Sequence, residues 1–387
     1  MRLADTELFE VHVVTGVTPA GTPSHEEELR RELGPRLHVV PALSREINPV
    51  KDGRALVQLA RLMRRERFDL VHTHMSKAGV LGRMAARAFS SALVVHTFHG
   101  WSLWDSSKPW VRNAVGIVER SAAKWSDMLF VVCDRDRVIA VEEIGLSAGQ
   151  LADGHQGVPL GRRPGAAERA ALRRRYRLPA DGAVVGTITR LVPHKRVGDF
   201  VRAARHIQDA VPGTVFVIMG SGPEEPDLRA LSSQLGVEHV VWLPTSAAVT
   251  EVLGTLDVFV HPSDREGLPM VVLQALSAGV PVVAQDAGGT REAVRPGETG
   301  VLVPVGDYRA LADGVVLVLT EPHRGSQMAR AGRRLIEDRY LELDRVRSLE
   351  RDCLRLLQSV PRRGGRSGPA SPGASDEVQL PVRGGSG

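Results

Sequence analysis

Cysteine, aromatic residues and lysine are all scarce in this sequence of 387 residues. Its two cysteines, Cys133 and Cys353, lack the spacing of a metal or redox motif, so we expect reduced thiols in a cytoplasmic protein. Aromatic residues make up 4% of the chain, which argues against the stacking platforms that bind single-stranded nucleic acid. Since no run of about 18 apolar residues occurs, no helix is predicted to span a membrane.

The charged residues that are present are nearly balanced. Fifty basic residues face 45 acidic ones, for a net charge of +5, and only five of the basic residues are lysine. The bias toward Arg, Ala and Gly is typical of a GC-rich bacterial genome. A slight positive excess is compatible with an anionic ligand or a membrane surface but requires neither.

Short apolar runs alternate with helical patterns in two successive sets. The first set extends from Glu10–Gly16 to Leu151–Gly157, and the second from Ala183–Thr187 to Gly300–Val303. Continuous apolar strands between helices are typical of parallel sheets covered on both faces. We therefore predict the α/β class, with two Rossmann-like, doubly wound domains that face a cleft.

The same pattern predicts the domain boundaries: a first domain at 1–160, a linker at 161–182, a second domain at 183–325, a C-terminal helical segment at 326–360 and a tail at 361–387. Within the C-terminal segment we predict a helix at Gln327–Leu357. The tail is rich in Gly, Pro and Ser and is predicted to be disordered.

The start of the chain departs from the usual order of an open α/β domain, in which a strand and a Gly-rich loop come first. Met1–Leu8 has the pattern of a helix end, and a strand follows at Val11. Either the loop Gly16–Gly21 takes the opening role or the first β-α unit is absent. We expect the second alternative.

Asp52–Arg67 is predicted to be an amphipathic helix. Its polar face is either simply solvated or a patch that contacts anionic lipid. Five arginines form that face: Arg54, Arg61, Arg64, Arg65 and Arg67.

The stretch Asp257–Glu292 has the pattern strand, loop, helix, strand, loop, helix. Ligands of parallel sheets bind at the carboxyl ends of strands, where both loops of this stretch lie. Glu266, in the first loop, can accept two sugar hydroxyls, or it is only an acidic residue at a helix start. Gln274 follows eight residues later and can face the same cleft.

Arg190 and Lys195 follow the first strand of the second set, which contains Gly186. A guanidinium and an ammonium at this position suit a diphosphate, or they are ordinary surface cations. No pair of aspartates predicts a magnesium site. His99 follows a buried strand and is either a core or a functional histidine. His72 and His74 lie at another strand end, without the spacing of a zinc site.

Together these motifs resemble family 4 glycosyltransferases, the "group 1" retaining enzymes with the GT-B fold. The resemblance covers about residues 10–357 and is strongest over 183–307, where Gly288-Gly289-Thr290-Arg291-Glu292 completes the order. FDLVHTHMSKAGVLGR and VVHTFHGWS, in the first domain, resemble members that build bacterial exopolysaccharide, capsule or lipid-linked glycans.

The resemblance implies a role for each site residue. Arg190 and Lys195 would hold the donor diphosphate, Glu266 would contact the donor sugar, and His99 would lie near the reacting sugar. Further donor contacts are implied at Gly186, Gly267, Leu268 and Pro269. Gln274 takes the place of a glutamate that binds ribose, and Pro244 that of a glycine near the base.

The function expected from the resemblance is retaining transfer of a sugar from a nucleotide diphosphate donor, UDP favoured, to a hydroxyl of a saccharide or lipid-linked acceptor. No metal or other cofactor is expected, and no nucleic acid partner. Such an acceptor favours peripheral contact with the inner face of an anionic membrane. The alternatives are a nucleotide-sugar epimerase of the same architecture and a non-catalytic sugar-nucleotide-binding or scaffold protein. Gln274, Pro244 and the missing opening unit favour the second of these.

Overall fold

The computed structural model describes residues 3–17, 26–44, 46–101 and 108–359. The predicted disordered tail lies outside these ranges. In the first half, β1 (Val13–Thr15) pairs in parallel with β2 (Leu37–Val39). A separate parallel sheet follows, in the order β3 (Leu70–His74), β4 (Leu93–Phe98), β5 (Met128–Val131) and β6 (Leu151–Asp153).

The helices of the first half connect these strands in sequence. They span Glu26–Leu33, Pro49–Glu66, Ser76–Phe89, Pro109–Ala123 and Asp134–Val138, the last continued by a π-helical turn at Ile139–Glu143. The predicted helix at Asp52–Arg67 is therefore present and starts three residues earlier. Asn48 caps it, because its side chain accepts hydrogen bonds from the N–H groups of Val50 and Lys51.

The second half forms one parallel sheet of six strands. They are β7 (Val184–Ile188), β8 (Val215–Met219), β9 (Val240–Leu243), β10 (Val258–His261), β11 (Val282–Gln285) and β12 (Gly300–Val303). Their order in the sheet is β12-β11-β10-β7-β8-β9. The helices span Ala166–Arg175, Val197–Ala210, Glu225–Gln234, Val249–Thr255, Met270–Ser277, Thr290–Ala293, Tyr308–Thr320, Pro322–Arg339 and Glu342–Ser359.

The four central strands of this sheet, β7, β8, β10 and β11, are buried on both faces, whereas the edge strands β9 and β12 are partly exposed. Successive side chains of a strand point to opposite faces, and Val184 and Val185 accordingly belong to two different apolar clusters. This burial explains why the strands are continuous apolar runs. The two larger parallel sheets, each flanked by helices, confirm the predicted α/β class. The predicted domain boundaries and the absent opening unit stay predictions.

The predicted single helix at Gln327–Leu357 is wrong, because the chain breaks between Pro322–Arg339 and Glu342–Ser359. At the break, the carbonyl of Tyr340 accepts from Val158 N at 2.8 Å, and Glu342 N donates to Val158 O at 3.1 Å. This pairing with Val158, at the end of the first domain, overrides the helical pattern. The last helix then packs on the four-stranded sheet β3-β4-β5-β6, where Leu356 belongs to a cluster that includes Val95 and Phe130.

The predicted helix end at Met1–Leu8 is also wrong for residues 3–8, which form turns. Asp5 explains the difference, since its N–H donates to Glu350 Oε1 at 2.7 Å and its carboxylate pairs with Arg347 at 2.9 Å. These contacts hold the segment against the last helix. Among the described helices, none is both long and apolar enough to cross a bilayer.

Candidate active site

In the six-stranded sheet, the order in which the chain adds strands reverses between β7 and β10. The chain proceeds from β7 to β8 and β9 on one side and then returns to β10 on the other side. Loops that follow two such neighbouring strands separate and leave a crevice, which is where open α/β sheets bind ligands. The loop after β7 carries Arg190 and Lys195, and the loop after β10 carries Glu266.

The loop after β7 is fixed by its backbone and exposes its first cation. Leu191 is fully buried, and its N–H donates to Ser221 O at 2.9 Å. Arg190 is exposed, and its guanidinium makes no hydrogen bond or ion pair with another described residue. Burial lowers the pKa of His194, and the charges of Lys195 and Arg190 lower it further, so both cations act at this loop.

Glu266 is the acidic centre of the site. Its Oε1 accepts from Lys195 Nζ at 2.5 Å and from His261 Nε2 at 2.9 Å, and its side chain is 12% exposed. Burial alone would raise the pKa of Glu266, but the hydrogen bond from His261 and the charge of Lys195 outweigh it and lower that pKa. The carboxylate is therefore ionised at neutral pH.

The loops after β7 and β10 are tied directly to each other. The carbonyl of His194 accepts from the Ser263 hydroxyl at 3.1 Å and from Asp264 N at 3.0 Å. These bonds set the distance between the cations of one loop and the carboxylate of the other.

The loop after β11 packs on the backbone of Glu266. Gly288 has φ +55, and a Cβ there would lie 1.8 Å from Glu266 O. Gly289 N donates to Gly267 O at 2.9 Å. Glycine is therefore required at position 288 both by conformation and by close approach.

The backbone around Gly267 offers unpaired donors. The N–H groups of Gly267, Leu268 and Met270 donate to no acceptor among the described residues. Leu268 is buried and Pro269 immediately precedes the helix Met270–Ser277, so these N–H groups lie at a helix N-terminus, where anions are stabilised.

The first domain meets this loop at His99 and Gly100. A Cβ built on Gly267 would lie 3.2 Å from His99 O, and one built on Gly100 would lie 3.1 Å from Gly267 N. The structure thus brings the predicted residue His99 close to the loop that holds Glu266. His99 as a whole residue is exposed.

His99 belongs to a group of neutral histidines. Its Nε2 lies 2.9 Å from His74 Nδ1, and its Nδ1 lies 3.3 Å from Gln156 Nε2. Burial lowers the pKa of His99, and burial with the charge of His99 lowers the pKa of His74 to about 4. His72 bonds to Thr97 instead, at 2.7 Å. Across the described ranges, no group of three or more His, Cys, Asp or Glu is arranged to hold a metal ion.

Three other predicted positions make no recorded contact with Lys195, Glu266 or His99. Gln274 is half-buried on the helix Met270–Ser277, and its side chain hydrogen-bonds to no described residue. Pro244 is exposed just after β9. Gly186 is buried within β7, where a Cβ would lie 2.7 Å from Leu256, so packing alone explains this glycine. Their roles toward a donor stay predictions.

The sequence interpretation missed His261 and Gln156. His261 is the last residue of β10, five residues before Glu266, and that position at the carboxyl end of a strand was the available signal. Gln156 follows β6 in a segment that was predicted to be strand, which concealed it.

Comparison with known proteins identifies the family. Residues 3–162 match the model of "Glycosyltransferase Family 4", and residues 168–335 match that of "Glycosyl transferases group 1". The chain is 31% identical to the UDP-Gal:alpha-D-GlcNAc-diphosphoundecaprenol alpha-1,3-galactosyltransferase of Escherichia coli over 73% of this chain and 74% of that protein. It is 35% identical to a GDP-mannose-dependent alpha-(1-6)-phosphatidylinositol monomannoside mannosyltransferase of Mycolicibacterium smegmatis, over 67% of this chain and 69% of that protein.

Solved structures agree in fold. Sucrose-phosphate synthase from Thermosynechococcus elongatus superposes with a TM-score of 0.76 at 20% identity, over 90% of this chain and 89% of that one. HepE of Anabaena, in complex with UDP and glucose, superposes with a TM-score of 0.75 at 18% identity, over 88% and 91%. The fold is GT-B, and the chain belongs to the family 4, or group 1, glycosyltransferases.

Proposed function

We propose that this glycosyltransferase transfers a sugar with retention of anomeric configuration, from a UDP-sugar rather than a GDP-sugar, to a hydroxyl of a saccharide or lipid-linked acceptor. Family membership favours the transferase over the epimerase and scaffold alternatives.

One observation carries the proposal. Two cations in the loop after β7 and one ionised carboxylate in the loop after β10 lie where the strand order of the six-stranded sheet reverses. Lys195 lies 2.5 Å from Glu266, and Arg190 remains without an ion pair in the described structure. A nucleotide diphosphate brings negative charge for the cations, and its sugar brings hydroxyls for the carboxylate. The arrangement therefore suits both halves of such a donor.

In the proposed reaction, the bond between the anomeric carbon and the diphosphate oxygen breaks, and the acceptor hydroxyl oxygen bonds to that carbon on the same face. The hydroxyl proton passes to the departing diphosphate, so no protein nucleophile is needed. Arg190 and Lys195 stabilise the charge that develops on the diphosphate. Glu266 holds the sugar, and neutral His99 lies near the reacting sugar. No metal is required.

The relatives suggest the class of donor and acceptor. The E. coli enzyme is named for UDP-Gal and a sugar on diphosphoundecaprenol, and HepE was solved with UDP, whereas the mycobacterial relative is named for GDP-mannose. The name of the E. coli relative supports UDP and a lipid-linked acceptor here.

A lipid-linked acceptor would place the enzyme at the inner face of a membrane. The helix Pro49–Glu66 and its C-cap expose the five predicted arginines, a charge that can attract anionic lipid. Flotation with vesicles of phosphatidylglycerol and phosphatidylcholine tests this contact. Replacing the five arginines by glutamine should abolish flotation of the protein with the vesicles, and unchanged flotation would contradict a role for this helix.

The proposed activity is tested by incubating the full chain with UDP-galactose, UDP-glucose, UDP-N-acetylglucosamine or GDP-mannose and an undecaprenyl diphosphate sugar. We expect acceptor-dependent release of UDP and a product whose anomeric proton coupling shows the configuration of the donor. Release of GDP alone would contradict the choice of UDP, and an inverted product would contradict retention. No release from any donor would contradict the proposed function.

A further inference from the structure

His261 is buried next to the proposed donor site and has no part in the reaction described above. It is the last residue of β10, its exposed fraction is 1%, and its Cα pairs with that of Ala284 in β11. Its ring is stacked with that of Phe259, at 6.3 Å between centroids. The imidazole is therefore fixed by the strand and its neighbours.

The two ring nitrogens of His261 have different surroundings. Nε2 lies 2.9 Å from Glu266 Oε1, whereas Nδ1 is buried without a hydrogen-bond partner among the described residues. A carboxylate only accepts, so Nε2 carries the proton of this bond.

Lys195 and His261 share one carboxylate oxygen. Both donate to Oε1 of Glu266, and Oε2 accepts from no described residue. Lys195 lies in a loop and has a flexible side chain, whereas His261 is held in the core. A lysine that turns toward a diphosphate would leave His261 as the remaining donor to Oε1.

From this geometry we infer that His261 is a positioning residue, which orients Glu266 so that Oε2 accepts hydroxyls of the donor sugar while Lys195 engages the diphosphate. The inference rests on the proposed function. It assigns His261 to recognition of the sugar and not to recognition of the nucleotide.

Two amide substitutions separate this role from simple packing. In His261→Gln the side-chain nitrogen can occupy the position of Nε2, whereas the shorter side chain of His261→Asn cannot reach Glu266. Both variants are polar and similar in size. His206→Asn, on the exposed face of the helix Val197–Ala210, is the control for histidine loss at a distance.

Calorimetric titration of each variant with a nucleotide sugar that the unaltered chain binds, and with the matching nucleotide diphosphate, tests the inference. We expect His261→Asn to weaken the nucleotide sugar about tenfold and to leave the diphosphate unchanged, since a hydrogen bond to a charged group is lost. His261→Gln should restore most of the affinity. Adding His261→Asn to Glu266→Gln should cause no further loss.

Equal losses for both ligands, or equal effects of Asn and Gln, would overturn the role of His261 and leave the proposed function intact. If the unaltered chain binds none of UDP-glucose, UDP-galactose, UDP-N-acetylglucosamine and GDP-mannose, both the proposed function and this role are overturned. Circular dichroism of each variant shows whether the fold is retained. If neither amide variant folds, a second measurement uses the unaltered chain. It is saturated with UDP or with UDP-glucose, and the His261 ring protons are observed by NMR. The same chemical-shift change with both ligands would contradict the inference.

Discussion

His155 should make the stability of the protein depend on pH through a contact between the two halves of the chain. Its Nδ1 bonds to Asp153, and its Nε2 lies 2.9 Å from Glu292 Oε2. Burial alone would lower the pKa of His155, but the hydrogen bonds with Asp153 and Glu292 outweigh it and raise the pKa to about 9. Tyr340 packs against the ring, and burial raises its pKa to about 12, so it stays neutral up to pH 10.

The sign follows from the folded-state pKa, which lies above the ordinary value of 6.5. The contribution of charged His155 to the free energy of unfolding is complete below about pH 6.5 and is lost as the pH rises through about 9. The difference between the folded-state pKa and the ordinary pKa of His155 corresponds to about 3 kcal/mol. Because the Asp153 carboxylate is 45% exposed and screened by solvent, we reduce this to about 1–2 kcal/mol. The pKa of Asp153, lowered to about 2 with burial opposing, reflects the same pairing and is not added.

The measurement compares thermal unfolding of the unaltered chain and His155→Gln at pH 7 and pH 10. Glutamine keeps a donor for Glu292 but has no charge. We expect the variant to melt a few degrees lower at pH 7 and at nearly the same temperature at pH 10. His206→Gln, at an exposed position, should show no such change. A difference between His155→Gln and the unaltered chain that is the same at both pH values would refute the role of charge.

Three further predictions concern the cations and the core. Arg190→Ala or Lys195→Ala should lower kcat about 10²-fold or more, whereas exposed Lys124→Ala should not, and near-normal turnover in either site variant would contradict the proposed role. Arg83→Met should lower the free energy of unfolding by about 3–5 kcal/mol, because its partner Glu119, 2.6 Å away and 4% exposed, loses its counter-charge; urea denaturation should show a smaller loss when Glu119→Leu is added. EDTA should leave turnover unchanged, since the two cations are proposed to replace a metal, and a loss restored by Mg²⁺ would contradict this.

The sheet of the second half was predictable because its four central strands are buried on both faces and are therefore continuous apolar runs. Each predicted strand from Ala183–Thr187 to Gly300–Val303 corresponds to an observed one with small shifts at its ends. The meeting of Lys195 and Glu266 was also predictable, since parallel strands present their carboxyl ends at one edge. That the two side chains pair with each other was not, because it depends on the close loops set by His194.

Contacts between distant parts of the chain account for the failures. Tyr340 breaks the predicted last helix because it pairs with Val158, and the sequence pattern around position 340 remains helical. His155 and Glu292 are 137 residues apart, and no local pattern connects them. His261 is a different case, since it lies five residues before Glu266 and its position at the carboxyl end of β10 was the available signal.

A crystal structure of the full chain with a nucleotide diphosphate sugar that it binds tests the central claim most directly. The account predicts the diphosphate between the loops that follow β7 and β10, with Arg190 and Lys195 on its oxygens and Glu266 Oε2 on the sugar. His261 should still donate to Oε1. A diphosphate bound elsewhere, or one bound here while Lys195 remains paired with Glu266, would contradict the account.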